Sequence, residues 1–318
     1  MSAYVAGPIE PERYTPKQTR VAEPVYGDSS YGATFSADGR LATTSFDGRV
    51  RLYNESFELV ASTEPTGGPW LYGIAFSPDG AKLAVGHEHT TAVNLLDGRT
   101  LAPLPGPDID GINNDDFMTV TWSADGAILF AGGTYHRDGT SLVVVWPDAG
   151  AGGRRELPAS ANTIMTLAPL PNGSLLVAAQ DPYLAVLEPD GHARCAQTPK
   201  QPDLRDQFDL LAVSADGAAV DFAYKAGGEN PARFDVEALD LRLDPPYDSL
   251  TARPEQTKLP VENWLNRYHP TLAGAPLPLK RFEMSRSLAI HPTGDRSSLA
   301  PSGRCAPSTV RASCSGAA

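Results

Sequence analysis

The 318-residue chain carries 38 acidic against 26 basic side chains, a formal net charge of −12. That balance argues against a nucleic-acid partner, because phosphate recognition needs a basic stripe and none is visible. A hydrophobic fraction of 41% is enough for a core, while 29 glycines and 29 prolines suit many short strands separated by turns.

Residues 1–28 are rich in Pro, Glu and polar residues without clean periodicity, and read as an arm or linker, fitting a chain whose fuller form has another domain upstream. No signal-peptide core opens them, and no run approaches the ~18 apolar residues of a membrane span. The three cysteines, Cys195, Cys305 and Cys314, form neither a C-x-x-C pair nor a disulfide framework. A soluble protein of a reducing compartment, the cytoplasm, with no membrane partner is expected.

From Tyr31 a pattern begins. Tyr31 to Ser36 alternates as a strand, Ala37-Asp38-Gly39 turns it, and Leu41 to Phe46 is a second strand. Asp47-Gly48 is a hairpin turn into Arg49 to Tyr53, with Val50 and Leu52 inward, and Phe57 to Ser62 is a weaker fourth strand. Leu71–Phe76, Lys82–Val85, Ala92–Leu96 and Thr100–Leu104 repeat the scheme. A third set is Thr119–Trp122, Ile128–Ala131, Leu142–Trp146 and a polar outer segment near Arg155. A fourth is Ile164–Leu170, Leu175–Ala179, Ala185–Leu187 and Ala193–Ala196, and a fifth is Leu210–Val213, Ala219–Phe222, Ala232–Val236 and a strand near Leu241.

The sets are aligned by copies of one turn: Phe35-Ser36-Ala37-Asp38-Gly39, Phe76-Ser77-Pro78-Asp79-Gly80, Trp122-Ser123-Ala124-Asp125-Gly126, Leu170-Pro171-Asn172-Gly173 and Val213-Ser214-Ala215-Asp216-Gly217. Their glycines stand 41, 46, 47 and 44 residues apart, a constancy that chance turns would not keep. Four short antiparallel strands in about forty residues are one blade of a β-propeller. The next copy, Ile290-His291-Pro292-Thr293-Gly294, follows only after 77 residues, an interval that holds a Pro-rich insertion over 244–280, read as a loop with one strand around Leu277.

The turns and strands over residues 29–296 resemble the WD-repeat β-propeller family, in its divergent bacterial type. The resemblance implies an all-β propeller of four-stranded antiparallel blades. The pattern predicts about five complete blades and a partial sixth, not a fully closed ring. The name-giving Trp-Asp pair is replaced by Tyr53-Asn54 and Leu96-Asp97, and Trp146 is followed by Pro147. The family's Asp–His–Ser/Thr–Trp network therefore does not carry over. The same turn occurs in lactonase-like propellers, and related chains attach such repeats to a further domain.

After Arg296 the strand period is lost, so 297–318 reads as a disordered tail. GC-rich codons can be chosen for Ser297 to Gly316 that, read one base earlier, give FVLGTEWPLRAFDGPGKLLW, which alternates as two strands. On that reading the chain is a frameshifted, truncated fragment. Its open terminal blades would expose apolar faces able to self-associate.

In a WD-repeat propeller, the loops between second and third strands and those leading into each first strand share one rim. This rim would carry His87, Glu88 and His89, then Tyr135, His136 and Arg137, then Asp181 and Tyr183, then Lys225 and Glu229. His87, His89, Tyr135, His136, Arg137 and Tyr183 are the candidate contacts for a protein or peptide partner, set against the default that loop tips are simply polar. His87 and His89 share a strand face but lack a third zinc ligand nearby. The loop Asp108 to Asp116 lacks the twelve-residue calcium spacing and reads as a solvated acidic loop. The Asp before each turn glycine bonds local backbone. No nucleophile elbow, P-loop or dinucleotide fingerprint is found. A non-catalytic interaction scaffold with no cofactor and no metal is therefore expected. The alternatives are a metal-dependent, lactonase-like propeller hydrolase or a truncated gene product without function.

Overall fold

Short runs of Val, Ile, Leu, Thr and aromatic residues, broken every few positions by Gly, Asp or Pro, favour strands joined by tight turns over helices. The computed structural model describes residues 18–21, 26–180, 183–188, 190–197, 211–214, 216–224 and 230–243, and six further short strands up to residue 314. After β1 (Gln18–Val21), the first blade is β2 (Ser30–Phe35), β3 (Leu41–Ser45), β4 (Val50–Tyr53) and β5 (Leu59–Thr63), paired in that order. The second is β6 (Leu71–Phe76), β7 (Lys82–His87) and β8 (Val93–Asp97). The third is β9 (Thr119–Trp122), β10 (Leu129–Gly132), the short β11 (His136–Arg137), β12 (Thr140–Trp146) and β13 (Arg155–Ser160). The fourth is β14 (Ile164–Pro169), β15 (Leu175–Ala179), β16 (Tyr183–Leu187) and β17 (Ala193–Gln197). The fifth is β18 (Ala212–Val213), β19 (Ala219–Tyr224), β20 (Asn230–Asp235) and β21 (Asp240–Leu243). All these pairings are antiparallel, as the repeat spacing predicts.

Three departures from the sequence reading have physical causes. The outer strand predicted over 100–104 is absent as a regular strand: Pro103 and Pro105 lack N–H donors, and the segment meets β8 through a Leu96–Pro103 bridge and the bonds Leu104 N–H to Leu95 O, Asp97 N–H to Ala102 O and Leu101 N–H to Asp97 O. The Pro-rich insertion holds a small sheet of β22 (Val261–Glu262), β23 (Thr271–Leu272) and β24 (Ala275–Pro276) instead of one strand. Beyond it, β25 (Met284–Ile290), β26 (Arg296–Ser302) and β27 (Arg311–Cys314) form a sheet to which β1 adds, pairing Gln18 with Cys314 and Val21 with Arg311. Segments read as a featureless arm and a strandless tail thus each supply strands. Backbone pairing needs an adjacent edge, not an apolar period.

Successive blades pack face to face, and alternate residues of one strand serve opposite neighbours. Leu129 and Ala131 of β10 pack back onto Ala84 and Leu95 of the second blade, whereas Phe130 packs forward onto Ile164 and Val177 of the fourth. Along β12, Val144 and Trp146 face back while Val143 and Val145 face forward. Leu176 and Ala178 of β15 meet Val220 and Phe222 of the fifth blade. The same rule corrects β4, where Arg51 and Tyr53 are buried alongside Val50 and Leu52. The side of the first blade that carries Tyr26, Leu41 and Tyr53 is buried as well, and β2 lies against β25 and β26.

Polar ties also join blades. At the end of the turns, Arg40 pairs its Nε with Asp38 at 2.8 Å, donates from Nη2 to Gly80 O at 3.0 Å and from Nη1 to Gly98 O, and lies over the Phe76 ring. At the other end, Thr44 Oγ1 donates to Tyr72 O at 2.8 Å, and Gly73 N–H donates to Met118 O at 2.8 Å. A Cβ on Gly73 would lie 2.5 Å from Met118 O, so this approach of β6 to β9 requires glycine.

Candidate functional site

The innermost strands β2, β6, β9 and β14 each begin with a large side chain at the same offset. Tyr31, Tyr72, Met118 and Met165 all stand eight residues before their turn glycine. Equivalent positions in a radial repeat converge on the axis, and Tyr72, Met118 and Met165 form one buried cluster against which Tyr31 and Phe46 pack. Phe46, the first residue of the β3–β4 loop, stacks on Tyr31 at 3.9 Å between ring centroids, and Tyr31 meets Tyr72 at 4.6 Å. Trp70, on the segment entering β6, sets its ring edge-on to Phe46 at 4.9 Å and to His89 at 5.7 Å. The result is a ribbon of rings running from the β7–β8 loop to the axis. Trp70 is 43% exposed, one of the exposed large apolar side chains among the described residues.

Beside this ribbon opens a cleft of about 550 Å³. Tyr72, Met118 and Met165 line it together with the carboxylates of Glu88, Asp115 and Asp116. Asp116 is buried and fastens two loops: its Oδ1 accepts the Thr134 N–H at 2.9 Å, its Oδ2 accepts the His89 N–H at 3.3 Å, and its own N–H donates to Thr134 Oγ1 at 3.0 Å. The stretch read as a solvated acidic loop is therefore part structural, with Asp116 inside and Asp108 and Asp115 partly exposed in ion pairs with Arg154 and His136.

The predicted rim residues divide. His89, His136 and Arg137 are exposed on this end. His136 Nδ1 lies 2.9 Å from Asp115 Oδ2, and Arg137 turns outward to pair with Glu156 at 2.6 Å. His87 and Tyr135 are buried rather than displayed on the rim. His87 is fully buried at the end of β7, with Nε2 at 2.6 Å from Asn94 Oδ1. Its Nδ1 abuts Gly67 and Gly68, close enough to Gly68 to influence its titration but without a hydrogen bond of ordinary geometry. Burial lowers its pKa, and the contacts with Asn94 and Gly68 oppose this only in part. Tyr135 packs edge-on against Phe117 and directs its hydroxyl to Glu156 at 3.1 Å; burial and then the Glu156 carboxylate raise its pKa. Both are buried because a loop's first residue still belongs to the packed strand end. His89 takes φ of +64°, so the alternation that would have set it beside His87 is broken. Asp181, Lys225 and Glu229 lie outside the described residues, as does the Tyr183 side chain, whose backbone opens β16.

At the opposite end the turn carboxylates do what their position before glycine predicts. Asp79, Asp125 and Asp216 each accept the hydroxyl of the Ser two residues earlier at 2.6 Å and the N–H two residues later at 3.0 Å. The serine bond is the first cause of their lowered pKa values. Among the described residues no three His, Cys, Asp or Glu side chains group as a metal site would require.

No family model matches the chain, and no curated protein matches it in sequence. Among solved structures, that of U3-55K, a WD40 β-propeller protein, superposes with a TM-score of 0.69 at 15% identity, over 93% of this chain and 98% of that one. The fold is that of an incomplete β-propeller. In all, 1347 chains of solved structures match it, so the likeness gives the architecture and leaves the partner to the residues at the mouth. Several blades hold buried polar groups of their own. In the first blade, Tyr26 OH lies 2.6 Å from Thr43 Oγ1 and 2.9 Å from Tyr53 OH, under the guanidinium of Arg51, which pairs with Asp47 at 2.6 Å. The second blade uses His87 and Asn94, and the fifth a bidentate pair of Arg233 with the fully buried Asp221 at 2.8 and 3.0 Å.

Proposed function

We propose that the chain is a non-catalytic interaction scaffold, a WD-repeat propeller whose channel mouth docks a protein or peptide segment. The observation that carries this reading is Trp70, held half-exposed by ring contacts to Phe46 and His89 beside the cleft. A fixed aromatic shelf at the rim of a rigid fold presents apolar area at little ordering cost, and such residues dominate binding energies. The acidic balance of the chain disfavours nucleic acid as the occupant. Among the described residues no helix is long and apolar enough to cross a membrane, and a cytoplasmic location agrees with the cysteine usage.

Panning a displayed random-peptide library on the intact chain tests the reading. Enriched peptides should lose about thirtyfold in affinity on Trp70→Ala, the size of a typical hot-spot loss. They should keep their affinity on Arg99→Ala, at the turn end. Peptides indifferent to Trp70→Ala, or none at all, would count against a docking mouth. Stoichiometric calcium or zinc on the purified chain, with hydrolysis of a lactone, would move the assignment to a propeller hydrolase.

A further inference from the structure

We infer that the group received by the mouth is cationic, the side chain of a lysine or arginine in an extended peptide segment; this deepens, and rests on, the reading of the mouth as a docking surface. The floor of the cleft is apolar and polarizable, made by Tyr72, Met118 and Met165. It suits the methylene stem of a long basic side chain. The formal charge on the walls comes from Glu88, Asp115 and Asp116, beside His89 and the neutral Thr134, Thr163 and Gln180, and among the described residues neither lysine nor arginine lines the cleft. The nearest arginine on this rim, Arg137, is directed away to Glu156. A guanidinium or ammonium on the floor would meet the Tyr72 face, part of the ring ribbon, and the lone pairs that Asp115 and Asp116 retain beyond their internal bonds. An acidic or purely apolar occupant would instead bury these carboxylates against like charge or against no donor, which opposes binding.

The charge arrangement also orients the segment. Glu88 lies next to Trp70, its N–H donating to Trp70 O at 2.8 Å, so one loop junction displays an anion and an aromatic shelf side by side. A residue flanking the cation is thereby placed over the indole, and an aromatic or aliphatic neighbour one or two positions away is favoured.

The test uses three displayed pools of twelve-residue peptides on the intact chain, with a central Arg or Lys, Gln, or Glu among otherwise random positions. The basic pool should enrich. Resynthesised members, followed by fluorescence anisotropy, should weaken at least about tenfold when the central residue becomes Gln, and weaken further in high salt. Glu88→Lys should transfer the preference to the Glu pool, an effect that general destabilisation cannot produce; thermal melts of each variant check folding. Peptides that need Trp70 but no basic residue would overturn this inference and leave the scaffold reading standing. Basic peptides insensitive to both Trp70→Ala and Glu88→Lys would mean attraction to the acidic surface at large, and would also overturn it. No Trp70-dependent peptide in any pool would remove both.

Discussion

Replacing Arg40 tests whether the blades are tied at the turn end by one guanidinium. The side chain is only 10% exposed and reaches three backbone segments: its own turn through Asp38, Gly80 in the turn of the second blade, and Gly98 beyond β8. In Arg40→Met the apolar stem over Phe76 is retained, so the loss is polar. Two carbonyls forfeit bonds to a charged donor at about 1.5 kcal/mol each. The Asp38 pair adds little, since that carboxylate is 43% exposed and stays solvated. Loss of the contact with the Phe76 face contributes roughly another 0.5 kcal/mol, for a total near 3 to 4 kcal/mol. Arg40→Lys, a point charge that cannot span both carbonyls, should lose about half as much, and Asp38→Asn under about 1 kcal/mol. Urea unfolding of the intact chain, followed by tryptophan fluorescence at constant m, measures all three. If Asp38→Asn costs as much as Arg40→Met, the stabilisation is the surface ion pair, and the carbonyl bridge is the wrong account.

Three further outcomes follow from buried groups elsewhere. Arg233→Met, which strips the guanidinium from the fully buried Asp221, should cost about 3 to 5 kcal/mol, whereas the double change with Asp221→Leu should recover most of it; equal losses would refute the charge argument. The folded pKa of His87 is depressed, so the unfolded chain binds the extra proton. Stability therefore holds above the ordinary imidazole pKa of ~6.5 and declines as pH falls below it until the folded value is reached. In His87→Gln the urea midpoint should change less between pH 7.5 and 5.5, and identical slopes would refute the assignment. Gly73→Ala places a Cβ against Met118 O and should cost roughly 2 kcal/mol or more, while Gly153→Ala, with nothing within 4 Å, should be near neutral in the same denaturation assay.

The blades were legible because their information is local. Ser, Asp and Gly close four of the five turns, and Asn172 and Gly173 the other, with bonds confined to five or six residues, so the motif that folds the turn is the motif read in the sequence. What was not legible depends on neighbours. Nothing around Arg40 announces that its partners are Gly80 and Gly98, and a loop His such as His87 looks exposed until the next blade covers it. Pairing of Gln18–Val21 with Arg311–Cys314 joins two segments with no apolar period, about 290 residues apart, and only the arrangement of the blades between them brings their edges together. The channel-top ring was within reach: Tyr31, Tyr72, Met118 and Met165 share one offset from the turn glycine, and aligning the copies column by column rather than strand by strand would have found it.

The two ends of the propeller also differ in what constrains them. At the turn end, Asp79, Asp125 and Asp216 are spent on their own hairpins, and Asp38 also pairs with Arg99 of the next blade. At the mouth, the loops are fastened by a few buried groups, chiefly Asp116 to Thr134 and His89, and by the strand ends at His87 and Tyr135. Once those positions are satisfied, Trp70, Glu88 and His136 can change without disturbing a strand pairing. Trp70 spends part of its ring on Phe46 and His89 and leaves the rest exposed at the edge of an acid-walled cleft, and it is that remaining surface which the proposed docking role would use.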